Sequence, residues 1–398
     1  MDVKIIIGAN YGDEGKGLAT DYFGGLAKDS MRKTIGVLTN GTAQRGHTVT
    51  MINEKAPYIG EKATYDHVFQ HLSSATFQRA DTYICKEFAV NPIILVQELE
   101  IINNIYGFYP KVYIHPECKV VTPLDMLGNL KERACLGLHN TCGMGFWKTL
   151  ERYEMAVEPL TFGEITKMST VQFVYCLNRI YKYYQQSIPV PAIRLTDGED
   201  NIDIKGLINH FVEDFNRLWQ KKVYLGNDSI LNQYDTVIFE NGQGLLIGEQ
   251  QPDANWDFCT PSNTGVYEAV EIIENNHLPV DNIEVCYISR TYLTRHGDGP
   301  LENLCSYKNI NPCIYDFTNI PNVNQGKLRY GVLNTQKLVD RVNADFRYTA
   351  LFPRTYNKSI MLTHWNEKAL ESLDDFSDFR IYISDGKTRE DVRLHESN

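Results

Sequence analysis

Short apolar runs alternate along the chain with longer segments in which apolar residues return every three or four positions. The short runs predict buried strands at Val3–Ile7, Thr34–Thr39, Val112–Ile114, Asp235–Glu240, Ile283–Ser289, Ile360–Thr363 and Phe379–Ser384. The longer segments predict amphipathic helices at Pro92–Asn104, Val171–Gln185, Ile204–Trp219 and Thr335–Asn343. Because strands that alternate with helices pair in parallel, the pattern predicts an α/β fold, with a mostly parallel central sheet flanked by helices.

The chain has no fixed-period repeat, low-complexity tract or shift in composition at which it would divide. We therefore expect residues 1–398 to form one unit, with helical subregions inserted between strands. Several predicted strands end in polar, Gly-rich turns. Ligands of open parallel sheets bind beside such strand ends, so the candidate chemistry is sought there.

Composition narrows the class of protein. The 398 residues are 43% hydrophobic, which is enough for a large core, and no apolar stretch is long enough to predict a membrane span. With 39 basic and 50 acidic residues the net charge is −11, which argues against a general nucleic-acid binder. The nine cysteines form no Cys-x-x-Cys pair, and the N-terminus has no signal-peptide pattern, so we expect a cytoplasmic protein without a disulfide framework.

The first candidate site is the turn Gly8–Gly17, which follows the first strand. Its glycines let backbone N–H groups approach a phosphate, and Lys16 adds a positive charge. It is not a Walker A loop, because Asn10 and Gly17 stand where that pattern needs Gly and Ser or Thr. A carboxylate such as Asp13 is repelled by phosphates unless it binds Mg2+ or handles a proton. The alternative is a glycine turn capped by Asp.

Further polar turns follow the other strands, and each is weaker alone. Gly41 offers a carbonyl to a metal, His47 is a phosphate ligand or a structural residue, and Gln243 suits an amide-like base edge. Each remaining turn has two interpretations: it binds phosphate, or it has a structural role as a helix cap, an ion pair or a solvated basic turn. These turns are Thr260–Thr264, Thr294–Pro300 with Arg295, Gly326–Arg329 and Ser384–Arg389.

Taken in chain order, these segments resemble the adenylosuccinate synthetase family. Gly12–Gly17 is identical to the family's GDEGKG, and Gly46–Thr48 matches the end of its NAGHT segment. The other matches are Glu240–Gly244 to EGAQG, Thr260–Thr264 to TSSNT, Tyr292–Pro300 to AYxTRVGxGP, Gly331–Asn334 to GWLD and Ser384–Arg389 to SxGPxR. The order and spacing hold from about Val3 to Val392.

The resemblance implies a P-loop-related fold and a C–N bond-forming ligase of purine biosynthesis. In the family, GTP phosphorylates the 6-oxo group of inosine monophosphate (IMP), and the amino group of aspartate then displaces phosphate. Magnesium, a cytoplasmic location and a homodimer are expected with it, and nucleic acid and membrane are not expected as partners. Phosphorylation turns a poor leaving group into a good one, and the step needs mainly positioning and charge neutralisation.

The resemblance also assigns residues. Asp13 matches the residue that takes the proton from N1 of the base and binds Mg2+, and Gly41 matches the one whose carbonyl binds the metal. Lys16 with Gly12, Glu14, Gly15 and Gly17 is expected to hold the triphosphate, Gln243 the base, and Thr141 and Thr260 the monophosphate. The other expected binding residues are Asn40, Thr42, Arg295, Lys327, Arg329, Thr363, Asn366, Ser384 and Gly386.

The chain departs from the family at five places, one of which is the family's TTGRGIGP, replaced by Thr141–Phe146 with the loss of one threonine and an arginine. The catalytic His after the metal-binding Gly is replaced by Thr42–Arg45, where Gln44 or Arg45 can neutralise the transferred phosphoryl group. The Arg that reaches the partner's nucleotide falls near Val157–Glu158. The aspartate loop, Asn322–Arg329, loses two threonines and at least two arginines. In Thr363–Asn366 the guanine-reading Asp is absent, so ATP becomes a candidate donor.

Three hypotheses follow from these comparisons. The first is a ligase of this kind that acts on a purine monophosphate, with IMP as the leading acceptor. The second is the same chemistry on another oxo nucleotide, such as dGMP, or with another amine, as in phage relatives; those typically lack the loop Asp that this chain keeps. The third is a nucleotide-binding pseudoenzyme.

Overall fold

The computed structural model describes residues 1–52, 64–136, 142–187, 203–250, 258–297, 299–314, 327–367, 369–370 and 372–395. The strands are β1 (Asp2–Gly8), β2 (Thr34–Leu38), β3 (His47–Ile52), β4 (Thr64–Phe69), β5 (Asp81–Ile84), β6 (Ala89–Val90), β7 (Val112–Ile114), β8 (Lys119–Val120), β9 (Val223–Leu225), β10 (Thr236–Glu240), β11 (Asn282–Arg290), β12 (Leu293–Arg295), β13 (Leu304–Cys305), β14 (Arg329–Gly331), β15 (Tyr356–Thr363), β16 (Arg380–Ser384) and β17 (Val392–Leu394).

The helices alternate with these strands over most of the chain. They are α1 (Lys16–Asp29), α2 (Pro92–Tyr106), α3 (Pro123–Leu136), α4 (Phe146–Glu154), α5 (Phe162–Ile165), α6 (Thr170–Ser187), α7 (Ile204–Leu218), α8 (Tyr267–Asn275), α9 (Tyr307–Ile310) and α10 (Thr335–Phe346). Within the described residues, no helix is both long and apolar enough to cross a membrane.

Ten of the described strands form one central sheet in the order β17-β16-β15-β11-β1-β10-β2-β5-β7-β9. All neighbours in this sheet are parallel except β16 and β17, which are antiparallel. Every residue of β2 and β10 is buried. Continuous burial is typical of parallel strands whose two faces are both covered, so the predicted α/β class is confirmed.

Two large apolar clusters hold the sheet and its helices together. The first packs α8 and α10 against the central strands, and Val270, Leu338, Phe239 and Tyr287 are all fully buried in it. The second joins α2, α6 and α7 around the end of the sheet that carries β5 and β7, and Phe211 of α7 is fully buried in it. The helical subregion therefore lies at the end of the sheet beyond β2.

Each predicted strand and helix is present, with ends that move by a few residues. The largest shift is at β15, which begins at Tyr356 rather than Ile360. The pattern missed the short strands β5 and β9 and the hairpin of β3 and β4. These are short or partly exposed, so they carry little periodic signal. The division of residues 1–398 as one unit stays a prediction.

Candidate nucleotide site at the carboxyl edge of the sheet

The turns that follow β2, β10, β1, β11, β15 and β16 lie next to one another in space. These six strands are consecutive neighbours in the sheet. Because parallel strands all end at the same edge, and neighbours lie about 4.8 Å apart, the six turns span roughly 24 Å. That length suits two nucleotides placed end to end, which is the arrangement a phosphoryl transfer between them requires.

The turn Gly8–Gly17, called the phosphate loop below, packs directly against the turn after β10. A Cβ added at Gly8 would lie 2.7 Å from the Gln243 carbonyl oxygen, and one at Gly244 would lie 2.5 Å from the Asn10 carbonyl oxygen. Gln243 itself has a φ of 65°. The glycines are therefore required for two backbones to approach this closely. The packing brings Gln243 beside the phosphate loop.

Lys16 and Glu14 are buried within the phosphate loop. The Lys16 ammonium donates to the Gly12 carbonyl at 2.7 Å and lies 3.7 Å from a Glu14 carboxylate oxygen. The other Glu14 oxygen accepts the Gly12 N–H at 2.7 Å. Burial lowers the pKa of Lys16 and raises the pKa of Glu14. Glu14 therefore shapes the loop from inside, which is a structural role in addition to the predicted nucleotide contact.

The N-terminus of α1 follows directly. Gly15 precedes it with a φ of 98°, and no side chain caps the helix there. Gly17 packs against the chain at Thr48, where a Cβ would lie 2.6 Å from a carbonyl oxygen. Uncapped N–H groups and the helix dipole favour an anion at this point, as the phosphate prediction requires.

Asp13 lies on the outer side of the phosphate loop. Its carboxylate is 32% exposed, and an oxygen lies 3.6 Å from Nε2 of His296. Its main-chain carbonyl accepts the Arg290 Nε–H at 2.6 Å. The main chain of Asp13 is thus fixed to the end of β11, while its carboxylate remains open to a ligand.

The turn after β2 is held by hydrogen bonds to its neighbours. Asn40 accepts the Gly242 N–H at 2.7 Å, and the Thr42 hydroxyl donates to the Ala89 carbonyl at 2.6 Å. The Gly41 carbonyl, the predicted metal ligand, accepts the Ala89 N–H at 2.8 Å. A carbonyl oxygen has two lone pairs, so one remains available for a cation.

Arg45 lies in a buried ion pair. Its side chain is 1% exposed, and Nη2 lies 2.6 Å from Glu240 and 2.8 Å from Nδ1 of His47. The same Glu240 oxygen lies 2.6 Å from that Nδ1 and accepts the Ser74 hydroxyl. Burial raises the pKa of Glu240, but Arg45 and these hydrogen bonds outweigh it and hold the pKa at about 2. Burial, aided by Arg45, lowers the pKa of His47 to about 3.

Of the two residues expected to replace the missing His, Gln44 lies nearer to solvent. It is partly exposed and donates to the Thr260 hydroxyl at 3.2 Å. Since Thr260 is an expected monophosphate contact, Gln44 lies beside a predicted substrate group. Arg45 is buried beneath the turn, where it pairs with Glu240. Its contact with phosphate stays a prediction.

Two of the predicted binding residues, Arg295 and, in the aspartate loop, Arg329, bind main-chain carbonyls. Arg295 donates to Pro300 at 2.6 Å and to Phe258 at 3.0 Å, and Arg329, its partner in the β12–β14 pairing, donates to Gly299 at 2.5 Å. Burial lowers the pKa of Arg295. Lys327 is exposed.

The predicted base-binding residues lie at the ends of β15 and β16. The Thr363 hydroxyl donates to the Glu14 carbonyl at 2.8 Å and so ties β15 to the phosphate loop. Asn366 is exposed just beyond it. Ser384 is buried and donates to the Gly386 carbonyl at 2.8 Å, and Gly386 is exposed. Thr141 and residues 322–326 of the predicted aspartate loop lie outside the described residues.

Two residues at the site were not predicted. Arg341 of α10 donates to the Asn10 side chain at 2.9 Å and has a nearly buried guanidinium. Tyr11 lies beneath the Arg295 guanidinium, 5.0 Å from it, and accepts the Glu302 N–H at 3.1 Å. No signal in the sequence places α10 beside the first loop, but Tyr11 could have been found from its place between Asn10 and Gly12.

Comparison with known proteins decides the family. The sequence profile of adenylosuccinate synthetase matches residues 5–310. The chain belongs to the adenylosuccinate synthetase family. The adenylosuccinate synthetase of Finegoldia magna is 22% identical over 310 residues, and that of Streptomyces griseus is 25% identical over 307. Each alignment covers 75% of this chain and 65% of the relative, so the match spans slightly less than two thirds of these curated relatives.

Solved structures of the family share the fold. The succinoaminodeoxyadenylate synthetase of cyanophage S-2L, solved with dGMP and with dATP as an energy donor, superposes with a TM-score of 0.64 at 15% identity. That alignment covers 100% of this chain and 96% of the phage chain. The fully ligated adenylosuccinate synthetase of Plasmodium falciparum gives 0.69 at 14% identity, covering 99% and 87%. The predicted fold is therefore confirmed.

Proposed function

We propose that this member of the family is a C–N ligase that uses a nucleoside triphosphate to phosphorylate the 6-oxo group of a purine monophosphate. IMP is the leading acceptor, and the amino group of aspartate then displaces the phosphate. The observation that carries the proposal is the position of Asp13. Its carboxylate is partly exposed on a glycine loop that also holds Lys16, and the next turn brings Gln243 beside the same loop.

The phosphate loop suits the triphosphate because it offers positive groups at fixed positions. Lys16 is held by the Gly12 carbonyl, and the N-terminus of α1 is uncapped at Gly15. These groups are already ordered before substrate binds, so little reorganisation is needed when charge moves during transfer. Phosphoryl transfer depends mainly on this kind of positioning and neutralisation.

Asp13 suits the role of base. When it accepts the proton from N1 of the acceptor, electron density moves to O6, and O6 attacks the γ-phosphorus while the nucleoside diphosphate leaves. The amine nitrogen then attacks C6, inorganic phosphate departs with the former O6, and the nitrogen loses a proton. A carboxylate with one third of its surface open can reach a base placed against the loop.

The residues of the site fit magnesium. Mg2+ binds through one or two protein oxygens and otherwise through water and substrate phosphates. Asp13 has a partly exposed carboxylate, and Gly41 keeps one carbonyl lone pair free of its hydrogen bond to Ala89. These two residues would hold the ion. When bound, it would neutralise charge on the transferred phosphoryl group.

We propose ATP as the donor. Asn366 stands where the family has the Asp that reads guanine, and it is exposed at the end of β15. An amide both donates and accepts, which matches the amino group and ring nitrogen of adenine, whereas a carboxylate only accepts. Ser384 and Gly386, at the end of the neighbouring β16, complete the proposed base pocket.

A second candidate keeps the chemistry and changes the substrate. Arg295 and Arg329 use their described hydrogen bonds on main-chain carbonyls, and Lys327 is exposed. A dicarboxylate is usually held by bidentate arginines. This arrangement favours an amine other than aspartate.

In the proposed homodimer, the partner's nucleotide phosphate cannot be contacted by an arginine at the family's position, because this chain has no arginine there. Glu158 stands near the position of the Arg that serves the partner's nucleotide, and its carboxylate lies 3.0 Å from Nε of Arg179. A cation is thus already beside the acid. Arg179 is exposed and offers the charge that Glu158 lacks.

A phosphate-release assay tests the proposal. The chain is incubated with Mg2+, ATP or GTP, IMP or dGMP, and aspartate or ammonia, and each component is omitted in turn. We expect phosphate only when donor, acceptor and amine are all present, together with the absorbance change of a 6-amino-substituted purine. Nucleotide binding without release in any combination would contradict the proposal and indicate a pseudoenzyme. Release without an acceptor would indicate a simple hydrolase.

A further inference from the structure

We propose that His296 is a positioning residue that orients the Asp13 carboxylate. Its Nε2–H would be donated to one lone pair of one carboxylate oxygen, whose other lone pair stays available to the proposed magnesium ion, so that the second oxygen faces the acceptor base. The inference rests on the proposed function, because it gives Asp13 a partner in that reaction. The role is that of a hydrogen-bond donor and requires no change in the charge of the imidazole.

The position of His296 is the first observation. The family pattern AYxTRVGxGP has valine where this chain has His296. Valine has no polar atom and cannot contact a carboxylate, so the imidazole is a feature of this chain. The side chain is 20% exposed and lies beside a carboxylate that is 32% exposed, with 3.6 Å between Nε2 and the nearer oxygen.

The freedom left to Asp13 is the second observation. Its main-chain carbonyl is held by Arg290 at 2.6 Å, but no hydrogen bond to its carboxylate is described. A side chain with a fixed backbone still populates several rotamers. A misplacement of about 1 Å in a reacting group can cost on the order of a hundredfold in rate. A donor beside the carboxylate therefore has a direct effect on the proportion of molecules ready to react.

The support of His296 is the third observation. It follows Arg295, which pairs with Arg329 across β12 and β14 and donates to the carbonyls of Pro300 and Phe258. The main chain beside His296 is thus fixed on a different element from the phosphate loop. The 3.6 Å separation is longer than a direct hydrogen bond, and a small rotation of either side chain or one bridging water closes it. Such contacts often tighten only when substrate binds.

The kinetic test compares His296→Val, which restores the family residue, with His296→Gln, whose amide can donate from a similar position. We expect His296→Val to lower kcat by about tenfold to a hundredfold, the range for partners that orient functional groups, with KM for the triphosphate within about twofold. We expect His296→Gln to recover most of the loss. An unchanged kcat in His296→Val, or an equal loss in both variants with an equal fall in Tm, would overturn the inference.

A second measurement separates this inference from the proposed function. The nitrogen chemical shifts of His296 are recorded by NMR in the 15N-histidine-labelled full chain, before and after Asp13→Asn, and the signal is assigned from its loss in His296→Val. A shift of the Nε2 signal in Asp13→Asn supports the pairing even if no substrate is turned over. An unchanged signal overturns it, whatever the activity of the chain.

Discussion

The two ends of the site differ in how they are built. The phosphate end is a frame of closely packed backbone around the side chains of Asp13 and Lys16: Gly8 and Gly244 allow two turns to touch, and Gly15 leaves the start of α1 open. The base-reading end consists of side chains, such as Asn366 at the surface beyond β15. The first end is identical to the family in Gly12–Gly17, and the second has lost the family's Asp. A site framed by closely packed backbone tolerates few substitutions, whereas one that depends on exposed side chains can change its ligand.

The largest effect is expected at the phosphate end, for Asp13→Asn. The amide cannot accept the proton, so turnover should fall by about a thousandfold or more, while affinity for the triphosphate stays within about tenfold. Phosphate release and calorimetric binding of a non-hydrolysable triphosphate measure the two quantities. Normal turnover in this variant would show that Asp13 is not the base, and the proposed difference between the two ends would then be wrong.

The next largest effect is on stability, and it concerns the buried Arg45–Glu240 ion pair at the same end of the site. Glu240→Gln removes the charge that compensates Arg45, whose Nε and Nη1 have no hydrogen-bond partner in the described part of the chain. We expect a loss of about 3–5 kcal/mol of unfolding free energy, because a guanidinium would remain buried and unpaired. Denaturant titration measures it. The double variant Glu240→Gln with Arg45→Met should recover part of the loss, and an unchanged stability in the single variant would show that the pair contributes nothing.

A smaller effect, on the pH dependence of stability, is expected from Asp21 in α1. Burial raises the pKa of Asp21 to about 7, above the value of 3.8 for an exposed Asp, and Gln78 donates to it at 2.8 Å. The folded chain therefore binds a proton more tightly than the unfolded chain, and Asp21 lowers stability as pH rises from about 4 to about 7.

Asp21→Asn keeps the Gln78 contact and removes this penalty. Its advantage in unfolding free energy should grow by on the order of 2 kcal/mol between pH 5 and pH 8. Denaturant curves at the two pH values measure the change. An advantage that does not vary with pH would show that Asp21 titrates as an exposed group.

The smallest effect is expected at the base-reading end, for Asn366→Asp. Restoring the family's acid should move the preference from ATP toward GTP by about tenfold in kcat/KM, the value of one hydrogen-bonding mismatch at a partly exposed site. Asn357→Asp, near the start of β15 and away from the site, is the control. If the two variants had the same preference between ATP and GTP, the base of the triphosphate would not bind at Asn366.

The sequence predicts the strands and turns well and the contacts between them poorly. Val3–Ile7 and Ile283–Ser289 were found because they are long and apolar, whereas β9 has only three residues, two of them exposed. The glycine turns were found because close backbone approach restricts them to one residue type. The Arg45–Glu240 pair joins distant parts of the chain and depends on the order of strands in the sheet, as does the approach of His296 to Asp13. No local pattern contains that order.

The fate of the acceptor's oxygen tests the central claim most directly. The chain is incubated with ATP, aspartate and IMP that carries 18O at the 6-position, and the released phosphate is analysed by mass spectrometry. If O6 is phosphorylated and then displaced, each phosphate carries one 18O atom derived from the acceptor. Unlabelled phosphate would mean that water attacks the donor, and it would contradict the account even if phosphate release depended on all three substrates.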